Sequence, residues 1–164
     1  MQKSNNKQVS VLMVCLGNIC RSPLAEGILK QKLGTAGIAA KVDSAGTGDW
    51  HIGSAPHPDS QKVAKLNGIN ISDQRARQLQ PTDFEHYDLI VFMDRENKKD
   101  GKKIAGTYWQ EGKARLLLDS IPHTNLQDVP DPYFGGWDGF PIVYQLIDEA
   151  CEALVEELSA FESR

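Results

Sequence analysis

Two short segments of this chain, VSVLMV from Val9 to Val14 and LIVFM from Leu89 to Met93, are apolar almost without interruption. A strand wet on one face would alternate polar and apolar residues. Unbroken runs of this length mark strands buried on both faces, which occur in parallel sheets covered by helices. ARLLLD, Ala114 to Asp119, and the segment Ala39 to Ala45 read as two further strands.

Helical signals lie between them. Ser22-Pro23 has the form of an N-cap followed by a proline at the first helical position. Leu24, Ile28 and Leu33 follow at helical spacing, and Gly34 reads as the stop. Pro58 to Leu66 reads as a second helix closed by Asn67-Gly68, and Asp83 to Tyr87 as a helical turn. Asp94 has the position of a cap for the helix that follows it. Ile121 to Pro141 is rich in proline and glycine and reads as a loop. Ile142, Leu146, Ala150, Leu154 and Leu158 mark one stripe of a long last helix. The expectation is a single α/β domain over residues 1–164 with a mostly parallel sheet. Ligands of such sheets bind beyond the carboxyl ends of the strands.

Composition narrows the function. With 164 residues, 40% hydrophobic and 24% charged, the chain is an ordinary globular domain. A net charge of −4 argues against non-specific nucleic-acid binding. No apolar run approaches the roughly 18–20 residues of a membrane span. The start, MQKSNNKQ, lacks the apolar stretch of a secretory leader, so a cytoplasmic location is expected, with no nucleic-acid or membrane partner and a monomeric state. Three cysteines are too few for a disulfide framework, and the four histidines, His51, His57, His86 and His123, are scattered. No metal or other cofactor is expected, and the histidines read as surface or loop residues.

The chemistry concentrates in CLGNICRS, Cys15 to Ser22. A helix N-terminus offers unpaired N–H groups and partial positive charge, and a short loop entering it can curl its amides around an anion. Gly17 permits the turn. Arg21 adds a planar fork for two phosphoryl oxygens. The groups that attract phosphate would also stabilise a thiolate at Cys15, with Ser22 as hydrogen-bond donor. The result is a nucleophile aimed at phosphorus, with a phosphocysteine intermediate. A free cysteine at a strand end is also a common buried hydrophobe. The spacing to Arg21 and Ser22-Pro23 favours the chemical role.

Displacing an alkoxide or phenoxide needs a proton donor. Asp131, between two prolines in VPDPYFGG, is a candidate, and Asp128 and Asp138 in the same loop are rivals that composition does not separate. Trp50, Tyr133 and Phe134 offer an aromatic slot for a phenyl ring. Trp109 and Trp137 have no comparable context and read as core cover.

Together, VCLGNICRSPLAEG, DSAGTGDWHIG, FMDRENKKD and DPYFGG lie in the order found in low-molecular-weight protein tyrosine phosphatases, and the chain resembles that family over most of its length. The resemblance implies a four-stranded parallel sheet flanked by helices on both faces, with the phosphate-binding loop after the first strand. It implies that Cys15 is the nucleophile, that Arg21 binds the phosphoryl group and that Asp131 is the general acid and then base. Leu16, Gly17, Asn18, Ile19, Cys20 and Ser22 complete the loop. Asn18 shapes it, Ser22 bonds the thiolate and Cys20 is the oxidation partner. Ile19, Trp50, Tyr133 and Phe134 line the substrate cleft. Phosphotyrosine proteins or peptides are then the substrates, and inorganic phosphate is product and inhibitor.

One position departs from the family pattern. Gln74 stands where many members carry a histidine that supports the loop; it can donate and accept but not carry charge. Three rival functions differ in what they require. An arsenate reductase needs two further relay cysteines, and only Cys151 remains. A protein arginine phosphatase tends to carry threonine at the position of Ile19. A non-catalytic phosphopeptide-binding module has no need of Cys15, Arg21 and Asp131 together.

Overall fold

A computed structural model describes residues 8–162 and places four parallel strands in one sheet, in the order β2-β1-β3-β4. They are β1 (Val9–Cys15), β2 (Ala40–Gly46), β3 (Leu89–Phe92) and β4 (Ala114–Leu116). The polar start that bears on a secretory leader, residues 1–7, lies outside the described residues. The helices are α1 (Arg21–Thr35), α2 (Pro58–Leu66), α3 (Asp83–His86), α4 (Arg95–Ala105) and α5 (Gly139–Glu162). Among the described residues no helix is long and apolar enough to cross a membrane.

The apolar runs behave as their composition demands. Val11, Leu12, Met13 and Val14 are all fully buried. Alternate residues point to opposite faces. Val11, Met13 and Cys15 join the core under α1, α2 and α5, while Leu12 and Val14 join Phe84, Tyr87, Phe92 and Ala105 on the other face. β1 has β2 on one side and β3 on the other. The chain therefore winds outward in both directions from β1, and the crevice at this switch point opens at the carboxyl ends of β1 and β3. Those ends carry Cys15 and, just past Phe92, Asp94.

Four local expectations are corrected. Helix α1 starts at Arg21, and Ser22 is not its N-cap; Cys20 holds that place without a side-chain hydrogen bond. The Ser22 hydroxyl is drawn into the loop before it. At the other end the helix passes Gly34 to reach Thr35, and Gly37, with φ of 73°, takes the left-handed turn. Strand β4 stops at Leu116, because the Asp119 carboxylate accepts the Leu116 N–H at 3.0 Å and a short 3-10 turn follows. Ile142 lies outside the buried stripe of α5, at 67% exposure, while Val143, Ile147, Ala150, Cys151, Leu154 and Leu158 are buried. A row of i, i+4 residues precesses by about 40° per step, so over four steps it rotates away from the core.

Candidate active site

The loop between β1 and α1 is shaped from outside. Its carbonyls at Cys15, Leu16 and Ile19 accept from the backbone N–H groups of Thr47, Gly48 and His57, at 2.9, 2.8 and 2.8 Å, and Cys20 O accepts from Ser60 Oγ at 3.2 Å. With carbonyls drawn outward, the loop's amides are left for an anion: those of Leu16, Gly17, Ile19 and Cys20 donate to no protein acceptor among the described residues. Gly46, paired with Cys15 across the sheet, cannot be replaced without strain, since a Cβ there would lie 2.7 Å from Leu16 O.

The turn is made by Asn18, not Gly17. Asn18 alone among described non-glycine residues has positive φ, at 58°, a conformation asparagine tolerates better than most. Its side chain is tied down at both ends. Nδ2 donates to Ser22 Oγ at 2.7 Å and to Ser44 Oγ at 3.0 Å, and Oδ1 accepts the Arg77 N–H at 3.0 Å. What Gly17 supplies is room, because a Cβ would meet His51 Cδ2 at 3.0 Å.

Cys15 Sγ sits 3.0 Å from Ser22 Oγ and accepts the Asn18 N–H at 3.3 Å. Arg21 is buried. Its Nη1 donates to Asp94 Oδ2 at 2.6 Å and to Val129 O at 2.9 Å, and Nη2 lies 3.5 Å from Asp131 Oδ2. Burial opposes its charge, but Cys15, Asp94 and Asp131 outweigh that and hold the guanidinium above its ordinary range. Asp131 is turned by its own loop, with Oδ1 accepting the Tyr133 N–H at 3.1 Å.

These groups share one pocket of about 270 Å³, whose lining includes Cys15, Gly17, Cys20, Arg21 and Asp131. Leu16, Ile19, Trp50, His51, Tyr133 and Phe134 complete that lining. The structure thus brings together Cys15, Arg21, Asp131 and all four residues expected in the cleft. The rival aspartates are elsewhere. Asp128 is engaged by Arg95, with Oδ2 2.9 Å from Nη2 and Oδ1 2.8 Å from the backbone N. Hydrogen bonds from that side chain, then from that backbone N–H, hold its carboxyl below the usual range. Asp138 is exposed and outside the pocket. Cys151 is fully buried against Ala25 O and is not among the residues that line the pocket.

Among the described residues, no hydrogen bond joins the Gln74 side chain to residues 15–22. Its Nε2 donates to Pro23 O at 3.0 Å in the first turn of α1, so its support of the loop passes through the helix backbone. Two histidines do more than the sequence reading allowed. His51 lines the pocket beside Tyr133, and His57 caps α2 by accepting the Asp59 N–H at Nδ1, its ring stacked on Phe140 at 5.0 Å. The signals were His51's place next to Trp50 and the His57-Pro58 pair, which resembles a cap followed by a first-turn proline. Trp109 packs against Phe84 and Phe92, and Trp137 stacks on Phe140 under Lys62.

The profile of the low molecular weight phosphotyrosine protein phosphatases matches residues 10–163. The chain belongs to this family. It is 41% identical over 152 residues to the low molecular weight protein-tyrosine-phosphatase YfkJ of Bacillus subtilis, covering 92% of this chain and 96% of that protein. A Schizosaccharomyces pombe member is 40% identical over 149 residues, covering 87% and 92%. The crystal structure of YfkJ superposes with a TM-score of 0.88 at 39% identity, covering 94% and 97%. That of Vibrio vulnificus Wzb in complex with benzylphosphonate gives 0.82 at 32%, covering 92% and 99%.

Proposed function

We propose that this phosphatase hydrolyses phosphotyrosine in proteins or peptides, and aryl phosphates generally, through a phosphocysteine intermediate. The observation that carries the reading is the meeting of Cys15, Arg21 and Asp131 in one aromatic-walled pocket beneath free loop amides.

The phosphoryl group enters the loop, where the free amides and the outer face of Arg21 bind its oxygens. The Cys15 thiolate attacks phosphorus and the ester P–O bond breaks. Asp131 in its acid form gives its proton to the departing phenolate. In the second step Asp131, now a carboxylate, takes a proton from water as the water oxygen attacks phosphorus. The P–S bond breaks, the thiolate returns and inorganic phosphate leaves. The amides and Arg21 stabilise charge on the equatorial oxygens in both transition states. Phosphate, bound by the same cradle, competes with substrate.

Ile19, Trp50, Tyr133 and Phe134 give the pocket apolar and aromatic walls suited to a phenyl ester. The full burial of Cys151 supports this reading over an arsenate-reductase relay. The test is hydrolysis of p-nitrophenyl phosphate without added metal, then of matched phosphotyrosine and phosphoserine peptides and of phosphoarginine. Turnover with preference for phosphotyrosine is expected. Absence of turnover, equal rates on both peptides or faster phosphoarginine hydrolysis overturns the proposal.

A further inference from the structure

Behind the loop, hydrogen bonds run from the thiol to a carboxylate that the chemistry above does not use. Glu26, on the second turn of α1, has a side chain only 6% exposed. Its Oε1 is 2.7 Å from Ser44 Oγ, and its Oε2 is 2.7 Å from Lys30 Nζ. A buried carboxylate carries a desolvation cost that an apolar side chain of similar volume would avoid. Its contacts indicate what it does instead.

Donor directions along the chain of contacts follow from the groups present. A carboxylate only accepts, so the Ser44 hydroxyl donates to Glu26. Its lone pair is then presented to Asn18 Nδ2, at 3.0 Å. The Asn18 amide cannot flip, because its Oδ1 accepts from a backbone N–H, that of Arg77. The remaining Nδ2 hydrogen goes to Ser22 Oγ at 2.7 Å. Ser22, having accepted there, directs its own hydrogen to Cys15 Sγ at 3.0 Å. Two groups that cannot reverse, the Arg77 N–H and the Glu26 carboxylate, thus fix the polarity of the network from opposite ends. Gln74 has no charge, so Lys30 on the same helix face is the cation paired with Glu26. The titratable groups that line the pocket with the thiol are Arg21 on α1, Cys20 in the loop, His51 after β2, and Asp131 and Tyr133 before α5.

Building on the reading of Cys15 as nucleophile, we propose that Glu26 is a positioning residue of this active site: through Ser44 and Asn18 it holds the Ser22 hydroxyl as a donor to the Cys15 sulfur. Glu26 touches neither substrate nor sulfur. It acts as a fixed acceptor, and Lys30 cancels the repulsion that a second anion would exert on the thiolate.

The experiment compares Glu26→Leu, Glu26→Gln, Ser44→Ala and the Glu26→Leu/Ser44→Ala double variant. Two readouts are taken: the rate of Cys15 alkylation by iodoacetamide at mildly acidic pH, located by mass spectrometry, and kcat and KM for p-nitrophenyl phosphate. Glu26→Leu is expected to slow alkylation and lower kcat, each by about fivefold, with KM within about twofold, as for loss of one oriented hydrogen bond. Glu26→Gln keeps an acceptor for Ser44 and should recover most of both rates. Ser44→Ala should match Glu26→Leu, and the double variant should be no worse than either, because both break one chain. Faster alkylation in Glu26→Leu means that Glu26 acts only as a nearby charge and overturns the proposal. Additive losses in the double variant, or no rescue by Glu26→Gln, overturn it too. If Glu26→Leu does not fold, Ser44→Ala against Ser44→Ala/Glu26→Gln decides by the same non-additivity. Alkylation needs no turnover, so failure of the phosphatase reading leaves a visible result here: the native protein would then alkylate without hydrolysing the ester.

Discussion

Asp94 binds Arg21 at 2.6 Å through one carboxylate oxygen, while its other oxygen accepts the Asn97 N–H at 2.7 Å and caps α4. One side chain therefore starts a helix and orients the guanidinium. The Val129 carbonyl takes a second hydrogen of the same Arg21 nitrogen, and the Val129 N–H is bound by Met93 O at 2.9 Å. Arg21 is thus fixed through Nη1, while its Nη2 lies 3.5 Å from Asp131 Oδ2 in the pocket lining. Its hold on Val129 also ties the segment carrying Asp131 to the end of β3.

Asp94→Asn keeps a cap, since asparagine caps helices about as well as aspartate, but removes the charge that orients Arg21. The expected result is a fall in kcat/KM of about tenfold, with stability changed by less than about 1 kcal/mol. Asp94→Ala loses both functions and should unfold at lower denaturant by a further ~1 kcal/mol. Kinetics and urea titrations of the two variants check this; kinetics unchanged in Asp94→Asn would remove Asp94 from the orientation of Arg21.

The two aspartates of the loop before α5 should separate by leaving group. Asp131→Asn should slow aryl phosphates with basic leaving groups by about 10²–10⁴-fold and activated ones far less, the behaviour of a lost general acid. Asp128→Asn should show no such slope, because its carboxylate is committed to Arg95. A Brønsted plot for each variant is the measurement, and a slope that appears only in Asp128→Asn reverses the assignment.

What the sequence revealed depended on distance along the chain. Buried strands announce themselves by composition, and Cys15, Arg21 and Ser22 fall within eight residues, so both were legible. Asp94 was legible only as a helix cap, because its grip on Arg21 spans 73 positions. Ser44 and Glu26 lie within the family motifs, but their contacts with each other and with Asn18 join distant segments, and His51 was marked only by its place next to Trp50. The turn expected of Gly17 is made by Asn18 for a reason of side-chain bonding: hydrogen bonds to Ser22 and to the distant Ser44 and Arg77 hold asparagine in a conformation that glycine adopts without help. The choice between Asp128 and Asp131 rests on Arg95, a partner 33 positions from Asp128 that composition could not assign.

Trp50 is 69% exposed and Ile19 only 8%, so they should fail differently when cut back. Trp50→Ala removes a wall that water already reaches. Stability should be unaffected, and kcat/KM for phosphotyrosine peptides should fall by about 1–2 kcal/mol, the value of one aromatic contact with its burial. Ile19→Ala opens a buried void and should cost about 2 kcal/mol of stability or more as well as activity. Thermal denaturation beside peptide kinetics tests the contrast; a Trp50→Ala variant with native kinetics would remove Trp50 from the substrate cleft.

Cys20 is held as a thiol: burial first, then the neighbouring Cys15 and Asp131, push it up to about 12. It is therefore no competitor for the substrate. Peroxide changes the balance. The Cys15 thiolate attacks a peroxide oxygen, the O–O bond breaks, and protonation leaves a sulfenic acid and water. Cys15 then carries no negative charge, so one of the causes that raise Cys20 disappears while burial, the largest, remains. The expected step is that the Cys20 sulfur bonds to the Cys15 sulfur as its proton passes to the leaving sulfenic oxygen, which releases water and closes a disulfide. Peroxide should thus inactivate the native protein, dithiothreitol should restore it, and inorganic phosphate in the cradle should slow the loss by covering the sulfur. Cys20→Ser should inactivate with poor recovery, its Cys15 advancing to sulfinic acid. Mass spectrometry of the oxidised protein reads the outcome. A bridge to Cys151, which would require a fully buried thiol to leave the core, or full recovery of Cys20→Ser, would show that Cys20 does not protect Cys15.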